Sequence, residues 1–204
     1  MGVVFTESVE ELITQDISIE KNKKQEEYLN YIKTHVLFVQ KAFLLYFIPL
    51  LERDLISKNL SDEELKDAIK KVSVTIQEHD SSKYSDDEFD GYREKYYPTA
   101  SEKADPEFQK HVEERFEMAW ESHYRHNWHH PKYWIDEETG EIKDMNLEAI
   151  IEMICDWCSF SLKENNPTEV LNWYKEKANA EKSSITDTTR QIVEEFLFNI
   201  INFS

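Results

Sequence analysis

The sequence predicts an all-α protein, and three observations support that prediction. Only 3 of the 204 residues are Gly, apolar residues recur every three or four positions, and no stretch alternates as a strand would. Hairpin turns and phosphate-binding loops need Gly for positive φ or close backbone approach, so this composition favours helices. The length fits one all-α domain over residues 1–204, with a core at about 20–165 and C-terminal helices at 168–204 packed on it. We expect about six to eight helices.

The first half of the chain predicts three helices. A long helix covers residues 20 to about 55, and Pro49 bends or ends it. A capping box at 61–64 opens the second helix, whose apolar stripe ends at His79. Another capping box at 85–88 begins the third, which runs to Tyr97 ahead of a proline.

The second half predicts four more. Asp105 and Pro106 have the residue types of an N-cap and a first helical residue, and they open a long helix that reaches His123. The next helix covers about 146–162. The Asn-Asn-Pro segment at 165–167 ends that helix. The last two helices follow it and cover about 168–177 and 188–202.

Charge and apolar patterning restrict the partners of the protein. The 24 Lys and Arg against 42 Asp and Glu leave a formal charge of −18, which argues against polymeric nucleic acid and anionic membranes as partners. The most apolar stretch, 36–51, is interrupted by polar residues and is shorter than the ~20 residues of a membrane span. With no secretory signal pattern, the sequence predicts a cytoplasmic protein. It leaves homo-oligomer formation open.

Two cysteines form a C-x-x-C pattern. Cys155 and Cys158 resemble half of a zinc site or a redox pair, but zinc would need a second pair. Since their neighbours are those of a buried helix, we expect core cysteines instead.

Histidines are concentrated where apolar helix faces are predicted. The spacing places His35, His79, His123 and Asp156 each three to seven residues after an apolar position on the same face. A divalent cation would remove the cost of burying Asp80 and Asp156 among imidazoles. The alternative is that each histidine is a core histidine with its own hydrogen bonds. That alternative would have to hold independently on four helices, which favours the metal site.

The order of these residues resembles that of the HD-domain metal-dependent phosphohydrolases. The matching pieces are K-T-H-V at His35, E-H-D-S-S-K at His79, Asp80 and Lys83, and M-I-C-D-W at Asp156. The segments 119–134 and 152–157 are also similar to a small uncharacterised HD-like family found in bacteriophage and bacterial genomes. The resemblance covers about residues 28–162.

This resemblance implies one divalent ion held by His35, His79, Asp80 and Asp156. The candidate ions are Mn, Fe, Co, Ni, Zn and Mg, and a bound ion would lower the pKa of water for attack on phosphorus. Lys83 would steady the phosphate, although an exposed helix-end lysine is an equal alternative. Glu152 lies one turn before Asp156, where it would either orient a ligand or face solvent.

The histidine cluster after residue 122 forms a further set of candidates. His123, with His129 or His130, would hold a second ion, or one of them would protonate the leaving oxygen. His126 lies one turn from His123 and could join it. Arg125 and His129 are candidate substrate-binding residues, and the catalytic candidates are Lys83, His123 and Asp80. The alternative is an ordinary helix end ahead of Pro131.

Together these features predict an enzyme that hydrolyses a small phosphorylated molecule. A nucleotide is the first expectation, through a 5′-nucleotidase or phosphodiesterase reaction in the cytoplasm, that of a bacterial host if the chain is encoded by a phage. One alternative is an HD-type dinuclear iron oxygenase. The other is a non-catalytic acidic phage protein that binds and inhibits a host protein.

Overall fold

The computed structural model describes residues 9–52, 61–166, 168–182 and 184–203, and these confirm the all-α prediction. The α-helices are α1 (Val9–Ala42), α2 (Ile48–Glu52), α3 (Asp62–Gln77), α4 (Phe89–Tyr96), α5 (Ala100–Ala104), α6 (Pro106–His126), α7 (Leu147–Lys163), α8 (Glu169–Lys182) and α9 (Asp187–Phe203). A π-helical turn, Phe43–Phe47, joins α1 to α2, and 3-10 turns cover Ser81–Tyr84 and Pro131–Trp134. In the described part of the chain, β pairing is confined to a single bridge between Ile135 and Ile142.

The long first helix differs from its prediction in two ways. It begins by Val9, and the π-helical turn Phe43–Phe47 interrupts it before Pro49, which lies inside α2. Its predicted end near residue 55 lies outside the described residues.

The predicted helix starts agree with the structure where the capping side chain bonds to the backbone rather than to a distant side chain. The Asn146 side chain accepts a hydrogen bond from the Ala149 N–H at 2.8 Å and caps α7. α6 begins at Pro106 after Asp105, as predicted. The prediction of a capping box at 85–88 is wrong, because the N-cap of α4 is Glu88 and its side chain makes no capping hydrogen bond.

The residue contacts of the chain group into two compact units. Unit one takes its described residues from Met1–Lys33 and Ser82–His123, and unit two takes them from Thr34–Ser81 and Tyr124–Ser204. Helices α1 and α6 each contribute residues to both units.

Unit two is built around α7. This helix is buried along residues 149–155, and it packs against α3, α8, α9 and the π-helical turn. Cys155 and Cys158 are free thiols buried in this core, which confirms the expectation of core cysteines. Because α7 is surrounded, a polar side chain on it must be paired or must bind something.

Unit one packs around aromatic rings and a buried ion pair. The Tyr28 ring lies 5.2 Å from the Phe89 ring and is stacked on the Tyr92 ring at 6.5 Å. Arg93 is fully buried and donates two hydrogen bonds to the Glu102 carboxylate, at 2.6 and 2.8 Å. This bidentate pair holds α4 to α5.

None of the described helices combines the length and the apolar sequence that a bilayer crossing requires.

Gly91 allows α4 to approach α6 closely, and we expect Gly91→Ala to destabilise the protein. A Cβ at this position would lie 2.6 Å from Ala119 Cβ and 2.7 Å from the Arg115 carbonyl oxygen. Overpacking of this kind costs about 1–3 kcal/mol in free energy of unfolding. Urea denaturation measures it, with Met118→Ala, at an exposed position of α6, as the control. Equal stability of the two variants would contradict the close approach.

Candidate metal centre

Three elements of unit two bring the four predicted ligands together. His35 comes from α1, Asp156 from α7, and His79 and Asp80 from the turn after α3. The sequence placed His79 on a helix face, but α3 ends at Gln77. Asp80 has φ of +57°, a left-handed conformation that few residues other than Gly adopt. Local strain of this kind is concentrated at functional sites.

The ligand atoms of these residues are separated by the distances found within a coordination shell. His35 Nε2 lies 3.0 Å from Asp156 Oδ1 and 3.5 Å from Asp80 Oδ2. His79 Nε2 lies 3.3 Å from His35 Nε2, 3.6 Å from Asp80 Oδ2 and 3.8 Å from Asp156 Oδ1. Ligands ~2.1 Å from one ion, at tetrahedral or octahedral angles, are about 3.0–3.4 Å apart. Two of the five distances fall in this range and the other three are 0.1–0.4 Å longer. Two imidazoles and two carboxylates are donors of the kind that a divalent cation binds, so these groups could hold one.

Glu152, one turn before Asp156 on α7, orients the imidazoles. Its side chain is buried, and its Oε1 accepts a hydrogen bond from His79 Nδ1–H at 2.9 Å. His129 Nδ1 lies 3.1 Å from the same oxygen, and Trp128 Nε1–H donates to Oε2 at 2.8 Å. With the hydrogen of the neutral ring on His79 Nδ1, loss of the second proton leaves a lone pair on Nε2 that points to the site. Of the two options that the sequence left for Glu152, the structure selects the orienting one.

His129 and His130 lie beside this site. The His129 ring is 4.5 Å from the His79 ring and 4.2 Å from the His130 ring, and His129 Nε2 is 3.8 Å from Asp80 Oδ1. Asp80, His129 and His130 each offer a ligand atom within 4.8 Å of the others. Asp80 thus belongs to two neighbouring sets of candidate ligands.

The protonation state of each residue in the site depends strongly on the charges of its neighbours. Burial opposes a charge on His79, but the surrounding carboxylates, Asp80 first among them, outweigh it and raise the pKa of His79 to about 10. Burial would raise the pKa of Glu152, yet its contacts with His129 and His79 lower it to about 2. Burial would also raise the pKa of Asp156, but the imidazoles of His35 and His79 hold it well below its usual range. In the absence of a cation, a protonated imidazole balances the carboxylates.

His35 has two further neighbours on α7. The Ser159 hydroxyl oxygen lies 3.3 Å from His35 Nδ1, and the exposed Phe160 ring packs 5.2 Å from the imidazole. The sequence singled out the candidate ligands, but it did not single out Ser159 or Trp128. Ser159 had one usable signal, since it follows Asp156 by one turn on the same helix face.

Two predicted site residues lie in unit one. His123 is buried, and its Nδ1–H donates to the fully buried Glu88 carboxylate at 2.8 Å, with Ser82 Oγ 3.3 Å from the same nitrogen. The Lys83 ammonium lies 5.2 Å from the centroid of the Tyr92 ring. The sequence did not single out Glu88 as a partner of His123.

The remaining candidates are exposed residues of unit two. Arg125 donates two hydrogen bonds at 3.0 Å to the two carboxylate oxygens of Glu137. His126 is the last residue of α6 and is exposed. The chain thus does end a helix at the histidine cluster, with Pro131 opening the following 3-10 turn.

We expect metal binding to release a proton. His79 is protonated near neutral pH because its pKa is raised to about 10, and an ion can bind only the neutral ring. Apparent affinity should therefore rise between pH 6 and pH 9, by about tenfold per pH unit for each proton displaced. Calorimetric titration in two buffers that differ in ionisation enthalpy counts the proton, and an affinity that is flat with pH would contradict this assignment.

We expect Glu152→Gln to weaken metal binding by about 10–100-fold, which is the usual effect of losing an orienting carboxylate. A glutamine cannot accept hydrogen bonds on both arms from His79 and Trp128. Competition with a chelating dye measures the affinity. Glu148→Gln, in the first turn of the same helix, is the matched control and should leave the affinity unchanged.

Comparison with known proteins gives one match. Residues 24–199 match the model of a family described as a family of unknown function, DUF5662. No curated protein and no solved structure matches the chain. Because the matched range covers most of the sequence, the chain belongs to the DUF5662 family.

Proposed function

We propose that this protein is a metal-dependent phosphohydrolase of the HD type that acts on a small phosphorylated substrate, with a nucleotide as the first candidate. The observation that carries the proposal is that the Nε2 atoms of His35 and His79 lie 3.3 Å apart and each lies 3.0–3.8 Å from an oxygen of both Asp80 and Asp156. The order of these residues along the chain resembles that of the HD phosphohydrolases, which also supports the proposed function. The proposed setting is the cytoplasm.

The residues of the site would hold the ion and leave one side open to substrate. A bound divalent ion supplies a polarised phosphoryl oxygen and a water of lowered pKa. Asp156, with 17% of its side chain exposed, is the most accessible of the four ligand side chains, and Phe160 beside His35 is half exposed. A substrate would therefore approach along this edge of α7.

Other residues have supporting parts in the proposal. Lys83 would neutralise charge on the phosphate, a role that rests on the H-D-x-x-K spacing alone. His123 would give a proton to the leaving oxygen, and Glu88 would keep its imidazole in one orientation. Contact between Arg125 and the substrate would require its ion pair with Glu137 to open.

A dinuclear iron oxygenase is the second candidate. The neighbouring set of Asp80, His129 and His130 favours it, because a second ion beside the first would share the Asp80 carboxylate. Stoichiometric iron and oxygen consumption would favour this reaction over phosphate release.

We expect His79→Ala and Asp80→Ala to lower the rate of phosphate release by roughly 100-fold or more, since each removes a ligand from the buried site. The assay is a screen of nucleoside monophosphates, cyclic nucleotides and phosphorylated sugars with metal-loaded protein. His111→Ala is the control, because His111 is exposed and pairs with Glu107 on the surface of α6. It should retain full activity.

Metal analysis separates this proposal from a non-catalytic binding protein. The purified protein should carry a divalent metal, and chelation should lower its melting temperature. A protein without metal, whose stability does not change with chelator, would contradict the proposed function and favour the acidic inhibitor.

A further inference from the structure

A cavity of ≈ 310 Å³ in unit two lies beside Glu152 and is lined by aromatic and acidic side chains. Trp128 and Tyr133 form its aromatic walls, Glu78 and Glu152 supply carboxylates, and Ser81 and Asn127 add polar groups. Ligand pockets range over about 300–1,000 Å³. The cavity is therefore large enough for one small molecule or one group of a larger one.

The wall formed by Trp128 is held in place at two points. Its indole N–H donates to Glu152 Oε2 at 2.8 Å, and its carbonyl oxygen accepts from Trp134 Nε1–H at 2.6 Å. An aromatic face that is fixed before a ligand arrives loses little side-chain entropy on binding.

The lining carries negative charge. Glu78 is exposed, and its side chain has no hydrogen bond or ion pair with any other described residue. Among the described residues that line the cavity, none is Lys or Arg. Glu152 already has His79 as its partner, and His126 also lines the cavity. The counter-charge that the described lining offers to a cation is therefore the exposed carboxylate of Glu78.

We propose that this cavity binds an organic ammonium ion. A cation over the face of Trp or Tyr is attracted by the ring quadrupole, and a quaternary or primary ammonium also has an apolar body that aromatic walls accommodate. The inference concerns binding alone and holds whether or not the metal centre hydrolyses phosphate.

The position of Glu152 links the cavity to the metal centre. One oxygen of this carboxylate accepts from His79, and the residue also lines the cavity. An ammonium group in the cavity would therefore lie near the carboxylate that orients the metal ligands.

The test is a calorimetric titration of the full chain with choline, compared with dimethylbutanol, its uncharged carbon isostere. We expect choline to bind at least tenfold more tightly than the isostere. Glu78→Gln and Tyr133→Ala should each weaken choline binding at least tenfold. Tyr133→Phe, which keeps the ring, and His111→Ala, which is remote in sequence and exposed, should stay within about twofold of the unmodified chain.

Several results would overturn the proposal: equal binding of choline and the isostere, loss of binding with Tyr133→Phe, or an unchanged affinity in Glu78→Gln. The titration is repeated on chelator-treated protein, where choline binding should persist whether or not the protein is a hydrolase.

Phosphocholine then separates two sources of the same ammonium group. Phosphate release from it assigns the cavity to the substrate, and binding of free choline without such release assigns it to a separate ligand.

Discussion

The contacts of one buried carboxylate, that of Glu152, organise unit two. It accepts from His79 and Trp128 and lies 3.1 Å from His129 Nδ1. Because Glu152 is only 3% exposed, water can do little to replace those partners. The same helix presents Asp156 one turn later and Ser159 after it, so α7 supplies one candidate ligand and two residues that contact candidate ligands from other elements.

The electrostatics of the site follow from this arrangement. Three carboxylates and three imidazoles lie within a few ångströms, and burial penalises every unbalanced charge among them. A proton on His79 can balance part of this charge, and so can a divalent cation held by the lone pairs and carboxylates. The two exclude each other at His79, which is why proton release and metal binding are linked. The family match assigns no activity, so the chemistry of these residues is what supports the proposed reaction.

The helices that the sequence predicted well are those whose signals are local. Asn146 and Asp105 lie at helix starts because their own side chains accept from nearby backbone N–H groups. The capping box at 85–88 fails for the opposite reason. In a capping box, the Glu88 carboxylate would accept from the backbone N–H of Ser85. It instead accepts from His123, 35 residues away in sequence. A buried, charge-assisted bond to an imidazole outweighs a local cap at an exposed turn.

The sequence by itself determined the all-α class and the buried cysteines, because helical periodicity and residue type decide which side chains face inward. His35, His79, Asp80 and Asp156 were candidate ligands because of their residue types and their order along the chain, since His79 and Asp80 lie beyond the end of α3. Only the tertiary structure decided which of these atoms meet, that Glu152 orients two imidazoles, and that Arg125 pairs with Glu137. Those outcomes depend on contacts between elements far apart in the chain, and spacing along one helix carries no information about what packs against it.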